Sequence, residues 1–117
     1  GTGNQNTIDI LNGCTTPGIA AYICDTLTLG GYSDWFLPSK DELNEMYLNI
    51  GQGNVLGLGT NVGGFANYFY WSSTEYDSAS AWLQDFSQTW GQGFNNKVNL
   101  INVRAVRAFV SILPPAI

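Results

Sequence analysis

The spacing of apolar residues changes once along this chain, and the change limits the folds open to it. Up to Ile50, apolar residues recur every three or four positions: Ile8 and Leu11, then Ile19, Ile23 and Leu27, then Leu43, Met46, Tyr47 and Ile50. That is the period of helices with one buried face. From Tyr68 onward the period is two, as in strands. Ala79 to Ser87 alternates, with Trp82, Gln84 and Phe86 on one side and Ala81, Leu83 and Asp85 on the other. Val103 to Val110 alternates again. Helices first and strands later predict an α+β fold with an antiparallel sheet. Between the two regimes, Gly51 to Asn67 carries six glycines and reads as a long irregular loop. Ordered loops of that length often carry function.

Local signals mark the elements. Asn4 to Asn12 predicts a short helix, capped by Asn6 or Thr7 and ended by Gly13. Thr16 and Pro17 predict a second start, and Gly30-Gly31 ends that unit. Trp35-Phe36-Leu37 reads as a short strand stopped by Pro38. Ser39-Lys40-Asp41-Glu42 has the pattern of a capping box, with acidic residues where the helix dipole favours them. The chain has 117 residues, a length suited to one domain spanning residues 1–117.

Composition removes several functions. Four basic against nine acidic residues give a net charge of −5, unsuited to nucleic acid, whose phosphates need a basic patch. There is no histidine, so no triad can use an imidazole base and no His-rich zinc site can form. Only 11% of residues are charged, against about 25% ordinarily. The polar surface must then come from Asn, Gln, Ser and Thr, a balance common in secreted proteins. No apolar run suits membrane insertion. The opening Gly1-Thr2-Gly3-Asn4 is not a signal peptide, and the segment reads as an excised or mature domain. Cys14 and Cys24 either close a loop between two short helices or remain separate buried thiols. The extracellular lean favours the disulfide.

Candidate chemistry is sparse. The glycine pairs around residue 51 and residue 57 lack the strand-to-helix context of a phosphate loop. Glu75, Asp77 and Asp85 could supply oxygens to calcium or act as acid and base; a solvated turn is the plainer reading. Trp35, Trp71 and Trp82 sit in strand-like runs and are assigned to the core. Trp90 lies in a turn beside Gly91, with Gln88, Gln92, Asn95 and Asn96 nearby, the description of a binding tip or of a hydrophobic turn plug. Arg104 and Arg107, three apart in a strand, point to opposite faces. One of them is expected to pair structurally with Asp34 or Asp41.

Four blocks together resemble a known family. They are Gly1-Thr2-Gly3 with Asn6-Thr7 and Ile10, Gly30-Gly31-Tyr32-Ser33-Asp34-Trp35-Phe36-Leu37-Pro38-Ser39-Lys40-Asp41-Glu42-Leu43, Tyr70-Trp71-Ser72-Ser73-Thr74-Glu75-Tyr76, and Val103-Arg104-Ala105-Val106-Arg107-Ala108-Phe109. Their order resembles the bacterial DUF1566 domain, also called the Lcl C-terminal domain. The resemblance implies a C-type-lectin-like fold, with two main helices packed on a twisted antiparallel sheet and a long irregular loop region that can host ligands. It implies a bacterial secreted or cell-surface protein, similar to adhesins that bind glycosaminoglycans. The Trp-Phe-Leu-Pro-Ser block is also similar to formylglycine-generating enzymes, but those use a late cysteine pair and both cysteines here are early.

The expected function is a non-catalytic adhesion module recognising a glycan or a protein surface. Its contacts are expected at Glu75, Tyr76, Asp77, Trp90, Gln92, Asn95, Asn96 and Lys97. The Glu-Pro-Asn and Trp-Asn-Asp motifs of calcium-dependent lectins are absent, so no cofactor is assigned and calcium has no motif behind it. Glycosaminoglycan binding would require Lys97, Arg104 and Arg107 to share one face. The alternative function is a structural, self-assembling domain of a bacterial filament or phage particle, hence a homo-oligomer.

Overall fold

The Ser39 box forms as its sequence dictates. In the computed structural model of the chain, which describes residues 2–14, 18–51, 61, 63–87 and 91–108, the Ser39 hydroxyl accepts from the Glu42 N–H and the Glu42 carboxylate accepts from the Ser39 N–H. Helix α3 runs from there over Lys40–Ile50. Two helices precede it, α1 (Gly3–Gly13) and the shorter α2 (Ala20–Asp25). Strands β1 (Phe69–Glu75), β2 (Ser80–Asp85) and β3 (Gln92–Asn96) follow, and form an antiparallel sheet in the order β1-β2-β3. Among the described residues, three helices thus pack on a three-stranded antiparallel sheet, an α+β globule.

The cap of α1 is Thr2, whose hydroxyl accepts from Gln5 N at 3.2 Å, and not Asn6 or Thr7. Thr7 is fully inside the helix and buried. Its hydroxyl donates to Gly3 O at 2.8 Å and accepts from Leu37 N at 3.0 Å. A threonine that reads locally as a cap is used instead to tie α1 to the segment before α3.

The apolar face expected for α2 is also different. Ile23 is 47% exposed, whereas Ala21 and Cys24 are buried. The buried side of α2 thus carries its small side chains, and the larger isoleucine is on the exposed side. The helix starts at Ala20, with Ile19 at its cap position and no side-chain cap, later than the expected start at Thr16-Pro17, which itself lies outside the described residues. No disulfide joins the cysteines, contrary to the expected bridge: Cys24 is buried on the inner side of α2 and Cys14 is exposed at the end of α1. Burial pushes the Cys24 thiol up to about 12, because a buried thiolate loses its hydration.

Gly30 and Gly31 make a two-residue hairpin. Both have positive φ, 62° and 83°, and Leu29 and Tyr32 exchange backbone hydrogen bonds across them at 3.0 and 3.1 Å. Turns of this hand need two left-handed residues, which glycine supplies without steric cost.

The segments expected as outer strands form only bridges. Phe36 exchanges two backbone hydrogen bonds with Val106, at 2.8 and 3.0 Å. Asn102 makes a single parallel bridge to Tyr70. Among residues 103–108 the alternation therefore does not become a ladder. The chain crosses from the edge of β1 to the Phe36 segment within a few residues, too short a path to follow either neighbour.

The core lies between α3 and the sheet. Leu43, Phe65, Tyr70 and Phe86 are buried together, with Met46 and Tyr47 against them. Phe65 stacks on Phe86 at 4.3 Å, and Tyr47 and Tyr70 meet Phe86 edge-on. Burying a side chain such as Phe86 contributes roughly 2–3 kcal/mol. The apolar stripe of α3 thus faces the core at Leu43, Met46 and Tyr47, while Ile50 at its end is exposed.

Candidate functional site

The turn between β1 and β2 is built by Asp77. Its Oδ1 accepts from Ala79 N at 2.9 Å and from Ser80 N at 2.7 Å, a side chain standing in for a backbone turn. The pairing of β2 with β3 then carries the end of β3 beside that turn. Ser80 pairs with Asn96 and Ala81 with Asn95. Lys97 closes the junction: its N–H donates to Ala79 O at 2.9 Å, its ammonium to Ser78 O at 3.3 Å, and it lies 3.6 Å from Glu75. Two segments some twenty residues apart in sequence become one tip.

Aromatic rings cover one face of that tip. Trp82 and Phe94 are cross-strand partners, so their side chains share a face. Tyr76 lies parallel to Phe94, with centroids 3.9 Å apart and planes within 5°. Trp82 meets both rings edge-on, at 5.5 and 6.3 Å. Tyr76 is 46% exposed and Phe94 51%. In a parallel pair each ring covers one face of the other. The Lys40 ammonium, delivered by the first residue of α3, sits 4.1 Å from the Trp82 ring centroid.

The polar fringe is largely committed to folding. Asn95 Oδ1 accepts from Asn99 Nδ2 and from Asn96 N, each at 2.7 Å. Asn96 Oδ1 accepts from Val98 N at 3.0 Å. Gln92 donates to Lys40 O at 2.7 Å, fixing β3 to the start of α3.

Of the expected contact residues, the tip therefore gathers Glu75, Tyr76, Asp77, Asn95, Asn96 and Lys97. Gln92, at the start of β3, serves as a tie to α3, and Trp90 lies outside the described residues. Trp82, Phe94 and Lys40 belong to the same surface and were not among the expected contacts. Phe94 carried a signal: it is a lone aromatic between Gly93 and two asparagines, with nothing apolar beside it in sequence to bury it. No protein-family model matches the chain, and no curated protein matches it.

Of the three carboxylates considered for metal or acid–base chemistry, Asp85 is separated from Glu75 and Asp77 by the length of the hairpin. Asp85 pairs with Phe69 at the start of β1, and Glu75 ends the same strand, roughly 20 Å away at about 3.3 Å per residue. Asp85 is fully buried and accepts from the Ser87 N–H and hydroxyl. Among the described residues, no group of three or more acidic or thiol side chains is placed to hold a metal ion. Two shallow depressions, of about 130 and 230 Å³, share Tyr68 and Phe69 at the far end of the sheet, and no residue of the tip lines either.

The basic residues have different partners. Arg107 makes a two-pronged contact with Asp34, at 2.7 and 3.1 Å, and lies 3.7 Å over the Tyr32 ring. That guanidinium holds the Asp34 carboxyl below its ordinary range. Arg104 donates to Gly63 O at 2.8 Å and lies over the Phe65 ring. Lys97 serves the tip. Among the described residues, no helix is long and apolar enough to cross a membrane.

Proposed function

We propose that this chain is a non-catalytic recognition module of a secreted or cell-surface bacterial protein, binding a glycan or a protein surface through the tip of its sheet. The observation that carries this reading is the open Tyr76–Phe94 pair, held edge-on against Trp82. Rings of this size, half exposed and fixed by their neighbours, offer contact area with little conformational entropy left to lose. A C-type-lectin-like arrangement, as the Lcl C-terminal domain resemblance implies, accords with helices packed on an antiparallel sheet whose loops meet at one end.

The test is a binding screen of glycans, with and without calcium, beside candidate surface proteins, repeated with Phe94→Ala. A ligand whose affinity drops at least tenfold in the variant, with the fold intact by near-ultraviolet circular dichroism, supports the reading. A ligand bound equally well by Phe94→Ala removes the tip from the site.

A second reading, self-assembly, is favoured by one observation. Tyr68, Val98 and Leu100 are all highly exposed, 70%, 82% and 100%, and two of them border the larger depression. Apolar exposure of this kind marks contact surfaces. The reading predicts dimers or higher species in sedimentation at high concentration, lost in Leu100→Ser.

A further inference from the structure

The two edges of the sheet differ in how their backbone groups are used. On the outer side of β1, Trp71 N donates to Asn102 O at 3.0 Å and Ser73 N to Pro38 O at 2.8 Å. On β3, Lys97 N donates to Ala79 O and Asp85 N to Gly91 O. These bonds lie at the two ends of a register in which Ser80 faces Asn96, Trp82 faces Phe94 and Gln84 faces Gln92. Hydrogen-bonded pairs alternate along an antiparallel ladder. Gly93 and Asn95 therefore turn their backbone groups toward β2, while Gln92, Phe94 and Asn96 turn theirs outward. Asn96 is satisfied locally: its N–H donates to Asn95 Oδ1 at 2.7 Å and its C=O accepts from Asn99 N at 3.0 Å. Among the described residues, nothing hydrogen-bonds to the outward N–H and C=O groups of Gln92 and Phe94. Gln92–Asn96 carries no charge, no proline and no bulge against β2, the devices that usually keep an edge strand from pairing.

We propose that β3 pairs with β3 of a second copy of this chain, antiparallel about a two-fold axis at Gly93, joining the two sheets into one. The free groups are self-complementary about that point. Gln92 stands opposite the partner's Phe94, and each exchanges its N–H and C=O with the other, so the open groups of both copies are all satisfied. Gly93 stands opposite the partner's Gly93 at a non-hydrogen-bonded position, where Cα atoms approach to about 4.5 Å; glycine brings no side chain to that contact. Pairing stops at Asn96, whose backbone groups are already used. One surface meeting itself in this way makes a closed dimer and not a filament. The contact goes beyond both readings of function above and uses different residues from the exposed Tyr68, Val98 and Leu100.

The experiment follows sedimentation and amide hydrogen exchange of the intact chain across a dilution series. Salt is held at about 0.15 M, where repulsion between copies carrying −5 is screened beyond about 8 Å. The edge is short, so association is expected in the range of about 0.1–1 mM. Between about 0.05 and 2 mM the Gln92 and Phe94 amides should slow about threefold, while those of Trp71 and Ser73, already bonded, should not change. Phe94→Pro removes an outward N–H where an edge strand tolerates proline, and should weaken association at least about tenfold. Phe94→Leu keeps that N–H without the ring, and should associate within about threefold of the parent. Exchange at Gln92 and Phe94 that is independent of concentration overturns the proposal, with no variant needed. Phe94→Leu as monomeric as Phe94→Pro also overturns it, since the ring and not the edge is then the contact. Dimers that persist in Phe94→Pro and vanish in Leu100→Ser keep self-assembly and overturn the edge. Protection of these amides only on adding an alternating Thr-Val octapeptide gives the edge to a foreign strand and overturns the second copy.

Discussion

The Glu42 Oε1 atom accepts two backbone hydrogen bonds, from Ser39 N at 2.8 Å and from Gly3 N at 2.9 Å. The first closes the capping box of α3. The second reaches 39 residues back and satisfies the first turn of α1. One carboxylate oxygen therefore fixes two helix starts against each other. Gly3 has room for this only because it lacks a side chain: a Cβ would lie 2.5 Å from Leu37 O and 2.8 Å from Ser39 N.

Glu42→Ala should therefore cost more than an ordinary cap. An N-cap loss is worth about 1 kcal/mol, and hydrogen bonds to a charged acceptor about 1.5–3. We expect about 2–3 kcal/mol by urea denaturation. Ser39→Ala should cost about 1 kcal/mol. Equal losses in the two variants would show that the contact to Gly3 contributes nothing.

Removing the ring of Tyr76 tests the aromatic tip as structure. Aromatic pairs contribute roughly 0.5–1.5 kcal/mol beyond burial. Tyr76→Ala should destabilise by about 1 kcal/mol and shift the Trp82 fluorescence contribution, since Tyr76 meets that indole edge-on. A variant as stable as the parent, with unchanged emission, would mean the rings do not pack in solution.

The thiols should behave differently from each other. Cys14 is exposed and Cys24 buried, with its pKa raised to about 12 from 9.0. One thiol should react with Ellman's reagent in the native protein and the second only after unfolding. Zero reactive thiols without reductant, and two after reduction, would restore the disulfide. Because Cys24 stays protonated in the folded state to about pH 12 but ionises near 9 when unfolded, its share of stability is full below pH 9 and is lost between those values.

Asp34 gives the opposite pH sign. Its carboxyl is lowered first by the hydrogen bond from Arg107. Its contribution is therefore present above the unfolded value of about 3.9 and is lost as pH falls through the lower folded value. Asp34→Asn should lower the melting temperature slightly at pH 7. The gap from the parent should narrow on acidification below about pH 4. A gap that is constant down to pH 2 would assign the effect to something other than this pair.

Much of the chain's order was legible locally. The Ser39 box needs only residues three apart, and its reciprocal bonds formed as written. The Gly30-Gly31 turn is fixed by backbone sterics at two neighbouring positions. Arg107 with Asp34 was legible as one of four pairings, either of two arginines with either of two aspartates. The site was legible in part: the hairpin turn and the end of β3 were both marked, but Trp82 was assigned to the core and Lys40 went unnoticed.

What sequence alone determined were features whose energy comes from neighbours along the chain: the Ser39 helix start, the glycine turn and the change of period near residue 68. The tertiary structure decided the rest, because those choices compare distant partners. Thr7 has the chemistry of a cap, yet the buried Leu37 N–H claims its hydroxyl. Ile23 is more apolar than Ala21, yet Ala21 is the one buried. Among the described residues after Asn102, the strand-like alternation yields a bridge at Val106 and no ladder, since a strand needs a neighbour running beside it. Tyr76 and Phe94 become one surface only when β2 brings them together, and no local energy in either segment encodes the other's position.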